Sequence, residues 1–209
     1  MFYEPAKNDH GLPHDPFKAI VTPRPIGWVT TIGKSGEINL APYSYFNAVS
    51  TRPPCVMFAS EGYKDSVANI AETGEFVCNL AVWDLRDQVN QTSATFPRGV
   101  NEMDEAGLVP APSRLVKPPR VARAPCAMEC KLLQVVPLHD LSGKPLDRHI
   151  TIGQVVGVHI DERAIRNGRF DPRIGCPITR LGYRDFGGPD GYFEMTRPAW
   201  AQHRSSTNS

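Results

Sequence analysis

Polar and aromatic side chains crowd three segments within a stretch of about forty residues. The last, Ser60-Glu61-Gly62-Tyr63-Lys64-Asp65-Ser66, leads into a helix over Lys64–Ala71 whose apolar positions Val67, Ile70 and Ala71 share one face. A helix start presents free backbone N–H groups and the positive end of the helix dipole. Lys64 and Ser66 at that start, with Ser60 just upstream, suit a phosphate group. The same residues also read as an ordinary helix with a solvated lysine, capped by Asp65 or Ser66 at its start and by Gly74 at its end.

The middle segment, Asn39-Leu40-Ala41-Pro42-Tyr43-Ser44-Tyr45-Phe46-Asn47, runs extended to Pro42 and then sets hydroxyls and amides beside aromatics. A flat heteroaromatic ring fits there, held by backbone amides and by the side chains of Ser44 and Asn47. Simple packing of Tyr43, Tyr45 and Phe46 is the plainer alternative. The first segment, Arg24-Pro25-Ile26-Gly27-Trp28-Val29-Thr30-Thr31, offers Trp28 either for core packing or for ring stacking.

Other chemistry is not signalled. No G-x-G-x-x-G follows a strand and no G-x-x-x-x-G-K-[ST] occurs. H-E-x-x-H and G-x-S-x-G are missing too. The six histidines are scattered. Of the five cysteines, Cys126 and Cys130 lie four apart on one strand. That puts their Cα atoms about 13 Å apart, too far for a shared metal or a disulfide. Cys55, Cys78 and Cys130 sit in apolar runs and Cys176 in a loop, and no pair has C-x-x-C spacing. The expectation is reduced core thiols in a cytoplasmic protein, no metal, and no cysteine taking part in turnover.

The elements that must position these residues follow from composition and pattern. The chain has 209 residues, enough for one domain, with a core over about 15–185, an arm at 1–14 and a disordered tail at 201–209. Its net charge of +1 argues against a nucleic-acid partner. Met1-Phe2-Tyr3-Glu4-Pro5 has neither the basic head nor the apolar run of a signal peptide, and no stretch is apolar enough to span a membrane. Twenty prolines and 17 glycines favour short β elements with long loops over a helical bundle. Ile26–Ile32 and Ile38–Tyr43 around Gly33-Lys34-Ser35-Gly36 read as a hairpin. Further strands are expected at Cys55–Ala59, Glu75–Trp83, Ala127–Val136 and Ile150–Ile160. Gly153 and Gly157 on one strand face signal a bulge or a close approach. The Pro-rich stretch Phe96–Arg123 reads as a long excursion over the surface. These elements predict a mainly β protein, a closed antiparallel barrel with the helix after Ala59 plugging one end.

Read together, the segments Arg24–Thr31, Asn39–Asn47, Ser50-x-x-Pro53-Pro54, Lys64-Asp65-Ser66-x-x-Asn69-Ile70, Glu75–Leu80, Ile152–Ile160 and Arg180-Leu181-Gly182-Tyr183 closely resemble the flavin reductase-like family. Within it, the chain resembles the flavoredoxin-type subgroup, whose fold is the FMN-binding split β-barrel. The resemblance implies a homodimer with one FMN per subunit near the interface. It implies Trp28, Val29 and Thr30 along the flavin, and Ala41, Pro42, Tyr43, Ser44 and Asn47 around its ring and ribityl chain. Ser60, Lys64 and Ser66 match the phosphate region, where relatives commonly carry Thr at the Ser66 position, and Arg24 is a further phosphate candidate. The activity implied is hydride transfer from the nicotinamide C4 of NAD(P)H to flavin N5, with electrons leaving to a small-molecule or protein acceptor. The alternative is an FMN-holding electron carrier reduced by a partner protein. Two-component reductases often place an Asp-His or Ser-His pair before the Gly-x-Val strand, near the nicotinamide. Here Asp147-Arg148-His149 sets His149 one residue nearer Gly153, a departure from that pattern.

Overall fold

In a computed structural model of the chain, residues 1–188 are described. The tail expected to be disordered lies outside them. Seven antiparallel strands form one sheet: β1 (Gly27–Ile32), β2 (Ile38–Tyr43), β3 (Phe46–Thr51), β4 (Pro54–Glu61), β5 (Glu75–Leu80), β6 (Cys126–His139) and β7 (Pro145–Ile160). Their order is β2-β1-β5-β6-β7-β4-β3. The expected closure is not seen, because no ladder joins β2 to β3 at the two ends of that order. Yet β2 ends at Tyr43 and β3 starts at Phe46. Three residues span only about 10 Å, so the sheet must curl until its edges nearly meet. The Tyr45 carbonyl then accepts the Ala59 amide of β4 at 2.8 Å. The result is a barrel left split at one seam.

The helix α1 (Asp65–Thr73) fills the interior. Its Val67 and Ile70 are fully buried in one cluster with Val29, Phe58, Phe76, Cys130 and Val155, side chains from five strands. Ala71, expected on the same face, is exposed. The helix stops where expected, at Gly74, whose φ of 75° is the left-handed conformation that glycine adopts without penalty. Its start differs. Lys64 is the cap residue and no side chain accepts the first amides; the Ser66 hydroxyl is turned inward, accepting from Asn39 at 2.8 Å.

A second core lies on the outer side of β1. Trp28 and Leu40 meet Leu85 and Val89 around α2 (Arg86–Gln91), and Met103 of α3 (Glu102–Glu105). The Pro-rich excursion thus packs over the outer face of β1 while the barrel interior covers Val29 and Thr31, so Gly27, Trp28, Val29, Thr30 and Thr31 are all buried. The single strand expected over Glu75–Trp83 ends at Leu80 and passes into a 3₁₀ turn at Trp83–Leu85.

The two long strands carry bulges. Register shifts fall between Ile152 and Gly153 and between Val155 and Gly157 of β7, opposite Leu133 in the first case. A bulge residue breaks the two-residue alternation. It moves Val135 rather than Val136 toward the core and leaves Leu133 exposed. Gly153 marks a close approach: a methyl there would overlap the Phe76 ring and lie 3.2 Å from the Lys131 carbonyl. None of the described helices is long and apolar enough to cross a membrane.

Candidate functional site

The strand β2 is a sheet edge, and Pro42, which has no N–H to donate, sits on it without cost. Along this edge runs a groove of about 350 Å³. One wall is Ala41, Pro42 and Tyr43; the floor is Lys64, Asp65 and Ser66 at the start of α1. Five of the residues singled out from the sequence therefore meet in one place: Ala41, Pro42, Tyr43, Lys64 and Ser66.

The opposite wall was not anticipated residue by residue. It is the loop Thr92–Phe96, which leads into the Pro-rich excursion, with Arg98 and Glu102 from the excursion itself. Its run of small residues, Ser93-Ala94-Thr95, with two hydroxyls among them, was the available signal. Thr92 is held by Trp28, whose indole N–H donates to the Thr92 hydroxyl at 2.9 Å. Trp28 is completely buried, so its ring supports the groove wall from behind rather than stacking on a ligand.

The other expected residues fall elsewhere. The Val29 side chain points into the barrel core. The Thr30 hydroxyl accepts from Asn79, which also accepts the Val121 amide and so ties β1 to the excursion. Ser60 is buried and donates to the Gly62 carbonyl. The Asn47 side chain accepts its neighbour's amide on the exposed edge strand. Arg24 is a correction. Its guanidinium donates to the carbonyls of Lys18, Val21 and Leu181, and it lines no part of the groove. It ties the N-terminal arm to the segment around Leu181. Ser44 lies beyond Pro42, in an adjoining cavity. His149 pairs with Ser60 across β7 and β4 and packs edge-on to Tyr63, 5.1 Å between centroids, outside the groove.

The groove is electrostatically mixed. Lys64 and Arg98 bring positive charge, and Asp65 lies 3.8 Å from Arg98. Glu102 is buried with its carboxylate accepting the Leu40 amide at 2.8 Å. Burial pushes that carboxyl up and the Leu40 amide pulls it down; Asp65 adds to the rise, and the net is upward. Burial likewise raises the Tyr43 phenol, against the opposing hydroxyls of Ser66 and Ser60. The amides of the first turn of α1 have no side-chain cap. Uncapped amides, a lysine and an arginine around one concavity are a donor set for a phosphate monoester.

Two larger cavities, about 510 and 590 Å³, lie away from these residues. The second contains Glu129 and His159, but the Glu129 carboxylate is already committed to the amides of Arg114, Leu115 and Val116. The thiols of Cys78 and Cys130 are neighbours in the barrel core, a pairing that sequence spacing did not show. Contact with Cys130 and burial push the Cys78 thiol well above its ordinary value, which leaves it little thiolate.

Residues 20–177 match the flavin reductase like domain, and the chain belongs to that family. Among solved structures it is similar to nitrilotriacetate monooxygenase component B from Bacillus cereus, with 31% identity, a TM-score of 0.84, and 93% of this chain and 98% of that one covered. It is similar to 2-nitrobenzoate 2-nitroreductase NbaA from Pseudomonas fluorescens at 30% identity and a TM-score of 0.77, covering 88% and 89%. Flavoredoxin of Desulfovibrio vulgaris (Miyazaki F) shares the fold at 19% identity, a TM-score of 0.73, and 88% and 94% coverage. Membership of this family supports flavin-related oxidoreductase chemistry.

Proposed function

We propose that this chain binds FMN in the groove along β2 and acts as an NAD(P)H-dependent flavin reductase-like oxidoreductase. The observation that carries the reading is the meeting of Lys64 and the uncapped start of α1 with the backbone of Ala41–Tyr43 in one groove. The phosphate belongs at Lys64, Ser66 and Arg98, and the ring system belongs further along the groove, against Ala41 and Pro42. When bound, the flavin supplies the hydride-accepting centre, so no side-chain nucleophile is required. The chain's own work is to hold the phosphate, to fix the ring against the β2 edge and to keep the Thr92–Phe96 wall in place through Trp28. One phosphate site implies FMN over FAD. The expected result is a yellow protein that binds FMN near stoichiometrically and more tightly than FAD. Rapid mixing with NADH or NADPH should bleach the flavin absorbance at a catalytically useful rate. A tight preference for FAD overturns the phosphate assignment, and a flavin that stays oxidised with both nucleotides makes the protein a carrier.

The functional unit in this reading is a homodimer. Leu133 and Val158, on the two longest strands, remain 56% and 60% exposed in the single chain. Large apolar side chains left on a sheet surface favour association. Light scattering should give twice the chain mass; a monomer with flavin bound refutes it.

A further inference from the structure

A second cavity, of about 360 Å³, adjoins the groove and shares Pro42 and Ser93 with it. Its volume is within the range of small-molecule sites, ~300–1,000 Å³. Its apolar surface comes from Ile26, Val89 and Phe186, and Ser44 and Asn90 add a hydroxyl and an amide. Its charged residues are Arg180 and Arg184, and no carboxylate is among its lining residues.

The two arginines are placed differently. Arg180 is fixed: it donates to the carbonyls of Asp185 and Tyr183 and lies 4.4 Å over the Phe186 ring. Its ladder partner is Arg24, whose guanidinium is directed to the carbonyls of Lys18, Val21 and Leu181 and does not line the cavity. Arg184 is exposed, and among the described residues its side chain has no hydrogen-bond or ion-pair partner. An exposed guanidinium with no partner among the described residues, set beside a fixed one, matches a planar two-oxygen anion, because its fork presents two parallel donors. The Phe186 and Val89 surfaces call for a flat apolar body on the same ligand.

We propose that this cavity is a subsite for an aromatic monocarboxylate, its carboxylate taken by Arg184 and its ring against Phe186 and Val89. The role of the subsite, a second substrate beside the flavin, rests on the FMN reading of the groove; the binding itself does not. Benzoate and its neutral counterpart benzamide are the probes. They are titrated into the protein carrying FMN, following the flavin absorbance, and into flavin-free protein by calorimetry. Benzoate is expected to bind at least tenfold more tightly than benzamide and to perturb the flavin spectrum. Arg184→Ala should weaken benzoate at least tenfold with FMN affinity unchanged, and Arg184→Lys should recover only part of the loss. Equal binding of benzoate and benzamide overturns the proposal, as does benzoate affinity untouched by Arg184→Ala. Competitive displacement of FMN by benzoate also overturns it, since the cavity would then belong to the flavin. If the protein takes up no FMN, the functional reading fails, while the calorimetric comparison still decides the subsite.

Discussion

Replacing Lys64 and Arg98 together by Ala is expected to weaken FMN binding by a hundredfold or more and to leave riboflavin binding within about threefold. Both cations line the groove at the start of α1. A hydrogen bond to a charged group contributes about 1.5–3 kcal/mol, and about 1.4 kcal/mol is tenfold in affinity. Two such contacts therefore give at least a hundredfold if they add. The fold should survive, because Lys64 makes no side-chain cap and both residues are exposed. Removing Arg98 also leaves Asp65 without its ion-pair partner beside the phosphate position, which adds repulsion. Riboflavin is the control because it keeps the ring and loses only the phosphate. Equal losses for FMN and riboflavin would mean that the groove had collapsed. Unchanged FMN affinity would make Lys64 a solvated helix-start lysine and nothing more. Flavin fluorescence titration of the two single variants and the double variant decides between these outcomes.

The half of this groove that could be read in the sequence is the half built locally. Lys64, Ser66 and Gly74 belong to one helix whose start and stop are written within eleven residues, and Ala41–Tyr43 belong to one strand of a hairpin. Arg98 and Glu102 reach the groove only because the excursion folds back over β1. That return depends on Trp28 meeting Thr92, 64 residues away, and on Glu102 meeting the Leu40 amide, 62 residues away. No periodicity in the excursion encodes such contacts. Arg24 misled for the same reason. Its neighbours in sequence suit a binding site, but the direction of its guanidinium is set by the carbonyls of Lys18, Val21 and Leu181. The barrel was readable as a set of strands, and its open seam was not. Closure depends on whether the edges of β2 and β3 share hydrogen bonds, which pattern cannot decide. The irregularities were legible on β7 at Gly153 and Gly157, where the missing side chains announce them, but not that the extra residue of the first is Leu133 on β6.

The largest expected effect on stability lies at Glu129. Its side chain is buried in β6 and accepts amides from Arg114 at 2.8 Å, Leu115 at 2.6 Å and Val116 at 3.1 Å, with the His159 ring on the same carboxylate. One residue thus pins the middle of the Pro-rich excursion, whose other end forms the groove wall. Glu129→Ala leaves three amides and an imidazole without their acceptor. Removing one partner of such a buried charged network costs about 3–5 kcal/mol. The loss should appear as a lowered urea midpoint in a flavin-free sample, with Glu129→Gln intermediate because it keeps one acceptor oxygen. Burial alone would push the Glu129 carboxyl up. The hydrogen bonds from His159 and from the Arg114 and Leu115 amides together outweigh it and hold the carboxyl below the ordinary 4.5. A carboxyl depressed in the folded state adds stability above its unfolded value and gives it up as pH falls through its folded value. The wild-type chain should therefore lose stability more steeply with acid below about pH 4.5 than Glu129→Gln, which has no proton to take up there. Parallel acid profiles for the two proteins would show that Glu129 is not held ionised by this network. A Glu129→Ala variant as stable as wild type would show that the excursion does not hang on it.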